Sequence, residues 1–251
     1  MLLAALFFMN GAQAMEAYSF GDLGPRAELQ QNLSDLKTIT SDLDANQKKL
    51  LFAGKSVIVR IPIAGSPWPR VKVYRRLNAT AEEAMAVMTD YARHREFLPN
   101  TLQSKPLPRS PSMQPTETRV SYVMDLPWYV GDENYQLYFV AGRYATTDHD
   151  AESIAGYSLE SNLAQADRFQ SFDGVLRFEP LADGRAVFLF DEHFDHGLIK
   201  PEKVAQSDID FVVSMLDGIV TAVSNRLTWE KAKNPALLQQ QLTSLRAILG
   251  E

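Results

Sequence analysis

Between residues 201 and 229, apolar side chains recur at Ile209, Val212, Leu216, Ile219, Val223 and Leu227, three and four apart, and Phe211, Met215 and Val220 widen the stripe. This is the period of a helix with one buried face. Pro201 suits a first helical position, where a missing N–H loses no partner. Lys231 and Lys233 favour the carboxyl end, and Asn234-Pro235 stops the helix there. At about 1.5 Å per residue the rod runs roughly 40 Å and needs a broad apolar surface to lie on. Gly218, near its middle, costs about 1 kcal/mol against alanine. It points to a close approach of the helix backbone to a packing neighbour or to a ligand.

The preceding hundred residues supply the surface. Val120, Tyr122 and Met124 alternate with Arg119, Ser121 and Val123, and Tyr135, Leu137 and Phe139 alternate with Gln136 and Tyr138. Tyr157, Leu159 and Ser161 follow, then Phe172, Leu176 and Phe178. Asp183-Gly184 is a two-residue hairpin signal leading into Phe188, Phe190 and Phe194. Short turns between such strands make an antiparallel meander with one core face and one wet face. Upstream, Val57, Val59 and Ile61 mark a strand over 55–63, broken by Gly65-Ser66-Pro67-Trp68-Pro69. Val71 and Val73 continue in a second strand. Thr80 and Glu83 form a capping box for a helix buried through Ala84, Met85, Val87, Met88 and Tyr91, which ends at Phe97-Leu98-Pro99. Residues 26–39 carry Leu29, Leu33 and Leu36 at helical spacing, 41–46 read as a turn, and 105–115 as a loop or edge strand. An amphipathic piece over 237–249 folds on the outside or serves a partner.

With 251 residues, 45% of them hydrophobic, the chain can bury a full core in one domain with appendages. The net charge of −6 argues against nucleic acid. No apolar run approaches the roughly 20 residues that span a bilayer. The chain has no cysteine, hence no disulfide, thiolate nucleophile or thiolate-bound metal. Leu2 to Met9 is a short apolar core followed by Ala12-Gln13-Ala14, which predicts a leader cleaved after Ala14 and export to the periplasm or beyond. The sequence has no G-x-S-x-G elbow, Walker loop, H-E-x-x-H or paired-glycine fingerprint. It offers no catalytic residue, and no cofactor or metal is expected.

Particular stretches resemble a known superfamily. Asn78-Ala79-Thr80-Ala81-Glu82-Glu83, through Asp90-Tyr91 to Glu96-Phe97-Leu98-Pro99, resembles the opening strand–helix segment of bacterial START-like proteins. The stretch Leu126-Pro127-Trp128-Tyr129-Val130-Gly131-Asp132-Glu133 is similar to the START segment in which a Trp-Pro pair precedes a charged strand start, although the pair is reversed here. Phe172-Asp173-Gly174, Pro180 and Asp183-Gly184 resemble the later hairpin. The order of these motifs over residues 55–233 is similar to that of the SRPBCC superfamily of START lipid-transfer domains and polyketide cyclases. The resemblance implies an α+β helix-grip fold, a curved antiparallel β-sheet wrapped around a long C-terminal helix with an internal hydrophobic cavity. It divides the chain into a signal peptide (1–14), an N-terminal extension with a helix (15–54), the START-like domain (55–233) and a C-terminal amphipathic helix (234–251).

Such a cavity would hold a hydrophobic small molecule, a lipid, sterol or isoprenoid, for transport or sequestration. Alternation and helical phase make Tyr122, Met124, Tyr135, Leu137, Leu159, Phe172, Phe178, Phe188, Phe190, Glu192, Val212, Met215 and Ile219 its ligand-binding residues; the plainer reading of each is core filling. Glu192, between Phe190 and Phe194, needs a partner or a raised pKa; Arg143, Arg177 and Arg226 are the candidates for an ion pair. On the opposite face of that strand stand Asp191, His193 and Asp195, a row that reads as solvated rather than metal-binding. Trp128, Tyr129 and Trp68 suit loop anchors or a lid touching a membrane transiently. Asp132-Glu133 is a weak acid/base pair, and the histidines at 94, 149, 193 and 196 do not cluster. The rival is a cyclase- or aromatase-like enzyme with at least two inward titratable groups; a third reading is an interaction module with a filled cavity. The oligomeric state is left open.

Overall fold

The computed structural model describes residues 38–126, 131–145 and 155–251. The expected leader, nearly all of the expected helix over 26–39, and Trp128 and Tyr129 lie outside them. The first helix, α1 (Ala45–Phe52), starts on a capping box: Asp44 accepts from the Gln47 backbone at 2.8 Å and donates its own N–H to the Gln47 side chain at 2.9 Å. The Asp44-x-x-Gln47 pattern carried that signal, although the stretch reads as a turn from its polarity. Two strands follow, β1 (Val57–Ile61) and β2 (Arg70–Leu77), then α2 (Ala81–Thr89), capped by Thr80 and Glu83 as expected. A 3-10 turn, Tyr91–Glu96, leads to β3 (Thr101–Pro106), β4 (Glu117–Met124), β5 (Glu133–Ala145), β6 (Ala155–Ala166), β7 (Ser171–Pro180) and β8 (Ala186–Asp195). The chain closes with α3 (Gln206–Lys233) and α4 (Pro235–Leu249).

All eight strands form one antiparallel sheet in the order β1-β2-β8-β7-β6-β5-β4-β3. The first hairpin and the last strand of the meander therefore meet, and β1 and β3 are the edges. Register shifts at Thr101/Gln103 and Gln136/Leu137 mark irregularities that sharpen the local twist. The loop from β7 to β8 is longer than the two-residue turn expected. Pro180 pairs with Ala186, and Gly184 takes φ +79° inside a five-residue connection closed by the Leu181 N–H on the Arg185 carbonyl.

The two faces have different cores. One carries the large cluster that joins β2 and β4–β8 to α2, α3 and α4. The other carries a smaller cluster of Ile39, Leu43, Leu51, Val57, Tyr74, Val187 and Leu189, so the segment before β1 lies across the back of the sheet. A buried polar knot fastens it. Glu179 accepts from the Ile39 backbone N–H at 2.6 Å, from Tyr144 at 2.8 Å and from Arg177 at 2.7 Å.

Helix α3 begins five residues later than expected. Pro201 opens a separate 3-10 turn, Pro201–Lys203, and the α-helix starts after Ala205, whose N–H is capped by the Asp208 carboxylate at 2.8 Å. It ends at Lys233 as expected, and Asn234-Pro235 both stops it and starts α4, with Asn234 as the N-cap. Helix α4 buries Leu237, Leu238, Leu242 and Leu245 and packs on α2, making it part of the domain. Among the described residues no packing neighbour makes the close approach expected at Gly218: a β-carbon there would meet the Pro99 ring, at 4.0 Å. Gly218→Ala is therefore expected to raise unfolding free energy by about 1 kcal/mol in urea titration. Destabilisation would mean that something occupies the space beside it.

Candidate functional site

Strand pairing lines up the inward residues in rows across the sheet. Phe188 on β8 stands opposite Phe178 on β7, and Phe190 opposite both Leu176 and Val73. Leu159 on β6 stands opposite Leu176, and Val120 and Tyr122 on β4 face Leu137 and Tyr135 on β5. The predicted ligand-binding residues gather here. Tyr122, Met124, Tyr135, Leu137, Leu159, Phe172, Phe178, Phe188, Phe190, Val212 and Ile219 are buried in the main cluster, and Met215 is half-buried against it. Their rings touch in chains: Phe178 stacks on Phe188 at 4.7 Å, Tyr122 on Tyr135 at 5.2 Å, and Phe169 meets Phe194 edge-on at 4.9 Å. Helix α3 meets the sheet chiefly at β2 and β8, on one side of this face.

One carboxyl stands within this apolar field. Glu192 is fully buried, opposite Val71 on β2 and Gly174 on β7, and Gly174 is in turn opposite Ser161 on β6. Glu192 Oε1 accepts from the Ser161 hydroxyl at 2.6 Å, while Oε2 has no hydrogen-bond partner among the described residues. Gly174 makes room for it, because a β-carbon there would collide with the Asp191 carbonyl and the Glu192 carboxylate. Among the described residues the expected ion pair is absent. Arg143 binds Glu251 and Arg177 binds Glu179, while Arg226 binds Glu96 at 2.7 Å and Glu230. Burial pushes the Glu192 pKa up to about 8, with Ser161 only partly offsetting it.

A second inward polar group is closed on itself. His94, which sequence reading left unassigned, is buried with Nδ1 2.8 Å from the Tyr122 hydroxyl and Nε2 3.0 Å from the Met88 carbonyl. A carbonyl only accepts, so Nε2 carries the proton and Nδ1 accepts from Tyr122. Burial holds the imidazole neutral, its pKa pushed down to about 4. Both nitrogens are engaged, and the pair anchors the 3-10 turn to β4.

The remaining candidates are structural. Glu133, fully buried, accepts from Arg168 N at 2.6 Å, Arg168 Nε at 2.7 Å and Phe169 N at 3.2 Å, which satisfies it without an acid/base role. On the outer face Asp191 binds Arg70 and His193 lies 3.2 Å from Ser171, so the row at 191, 193 and 195 is partly covered rather than freely solvated. Trp68 is 1% exposed and packs edge-on against His196 at 4.6 Å, an anchor rather than a rim. A polar cleft of about 410 Å³ lies elsewhere, between α2, the 3-10 turn and α4, with Asp90, Arg93, Glu96 and Gln241 in its walls.

Glu192 makes stability depend on pH. Its folded-state value lies above the ordinary 4.5, so its contribution is intact below pH 4.5 and is lost as pH rises through about 8. Relative to wild type, Glu192→Gln is expected to gain roughly 3–5 kcal/mol between those limits. Urea unfolding of both proteins at several pH values reads this difference, and a flat difference curve would contradict a buried neutral carboxyl.

A family model described as polyketide cyclase / dehydrase and lipid transport matches residues 77–228. No curated protein matches the sequence significantly. Among solved structures, the chain is similar to a STAR-related lipid transfer protein (fragment 25–204) from Xanthomonas axonopodis, at 18% identity and TM-score 0.55, covering 69% of this chain and 93% of that one. It is also similar to human STARD10 (10% identity, TM-score 0.52, 74% and 78% covered). Human StAR-related lipid transfer protein 5 aligns at 11% identity and TM-score 0.52, over 70% and 82% of the two chains. These structures share the open antiparallel sheet and long C-terminal helix, the helix-grip arrangement expected from the sequence. With the family match spanning 77–228, α2, the meander and most of α3, the chain belongs to the polyketide cyclase / dehydrase and lipid transport family.

Proposed function

We propose that this protein binds one hydrophobic small molecule, a lipid, sterol or isoprenoid, in a cavity between the inward face of the sheet and α3, and carries or sequesters it. The observation that supports this reading is the character of that face: aliphatic and aromatic residues from β2 and β4–β8 with the carboxyl of Glu192 among them. Pockets for apolar ligands have this make-up, a wide apolar lining with few placed polar groups. Burial of ligand surface, at about 25 cal/mol per Å², would supply most of the affinity. Helix α3 leans on β2 and β8, and α2 leans on β6, β7 and β8, so the two helices together cover the inward face. We further propose export, with the leader removed after Ala14.

A cyclase-like enzyme is the second reading, favoured by two inward groups of shifted acidity, Glu192 and His94. Both His94 nitrogens are hydrogen-bonded, which of these two leaves Glu192 to move a proton. Native mass spectrometry after gentle purification tests the carrier. The expected spectrum shows one apolar compound per chain, and Met215→Trp, at a half-buried position of the lining, lowers its occupancy at least fivefold with the circular dichroism unchanged. A bare polypeptide mass, before and after incubation with a lipid extract, would contradict binding. Turnover of a polyketide mimic would favour the enzyme.

A further inference from the structure

We propose that Glu192, held by Ser161 over Gly174, is the recognition point for an uncharged oxygen, an alcohol or carbonyl, at the head of the bound lipid. This rests on the carrier reading above and narrows it to a class of ligand. Ser161 donates to Oε1 at 2.6 Å, so a proton held by this carboxyl sits on Oε2. That oxygen is buried and has no hydrogen-bond partner among the described residues. A buried hydrogen bond left unmade is costly, and a buried unpaired carboxylate more so. The sheet nonetheless accommodates the group: Gly174, in mid-strand, is the residue whose lack of a side chain clears its place.

The charge around Glu192 sets the class of ligand. The cation acting on it is Arg70, whose guanidinium is bound to Asp191 on the outer face, and Asp191 and Asp173 act in the opposite sense. An anionic head, a fatty-acid carboxylate or a phosphate, would meet a carboxyl there with no cation of the described residues turned inward beside it. The neutral acid instead offers one O–H to a lone pair. Burial keeps it neutral at pH 7, its pKa near 8.

Displacement of the neutral fluorescent probe N-phenyl-1-naphthylamine from the full chain by dodecane, 1-dodecanol and dodecanoate tests this at pH 7. Wild type is expected to prefer 1-dodecanol over both others by about tenfold, the equivalent of one buried hydrogen bond. Glu192→Leu is expected to lose the preference for the alcohol, read as the ratio of the dodecanol and dodecane affinities of that variant, and Glu192→Gln, which retains a donor, to keep most of it. Equal affinity of wild type for all three compounds, tightest binding of dodecanoate, or an alcohol preference that survives in Glu192→Leu would overturn the recognition point while leaving the carrier standing. Failure of wild type to bind the probe or any of the three would end the carrier reading and this assignment with it. If Glu192→Leu does not fold, equal wild-type affinity for the three compounds or tightest binding of dodecanoate still overturns the assignment.

Discussion

Eight residues of β2, from Arg70 to Leu77, pair with His193 to Ala186 of β8. This ladder joins the hairpin β1–β2 to the far end of a meander that starts at the opposite edge of the sheet. Because side chains alternate with period two, its register also decides what turns inward: Val71 and Val73 beside Glu192 and Phe190, with Tyr74 and Leu189 turned outward. A slip by one residue would place Glu192 and three phenylalanines on the outside and leave α3 without a surface. The inward face, the position of α3 and the second core beneath α1 all follow from that pairing.

The polar groups inside are settled in contrasting ways. Glu133, Glu179 and His94 are buried and bonded by several partners each, which fixes the β5 start, the N-terminal segment and the 3-10 turn. Glu192 has a hydroxyl on one oxygen and, among the described residues, no hydrogen-bond partner on the other. A group left half-satisfied in a dry core is a liability for stability alone. In a binding face it is a means of orienting a guest, and this contrast with its satisfied neighbours is the reason to assign it a role.

Much of this was legible in the sequence. Alternation identified the inward residues of the meander and turned Glu192 inward, since the period of a strand is fixed by backbone geometry. The spacing of Val212, Leu216, Ile219 and Val223 identified the long helix, and Thr80 with Glu83 identified the start of α2. What eluded sequence reading depends on pairing between distant residues. The partner of Glu192 is Ser161, thirty-one positions away across two strands, rather than an arginine. Tyr122 meets His94 through the fold of the 3-10 turn. Helix α1 was missed although Asp44 and Gln47 announce it, because its polar sequence hides a single buried leucine, Leu51.

The central claim is that the inward face and α3 enclose a guest. Isotope-filtered NMR of the chain with 1-dodecanol, the methyl groups of Leu159, Val212 and Ile219 labelled with carbon-13, reads this directly. The account predicts cross-relaxation from ligand chain protons to these three residues, which lie on two sides of the proposed cavity. Absence of cross-relaxation at every labelled methyl with the alcohol in excess would contradict it.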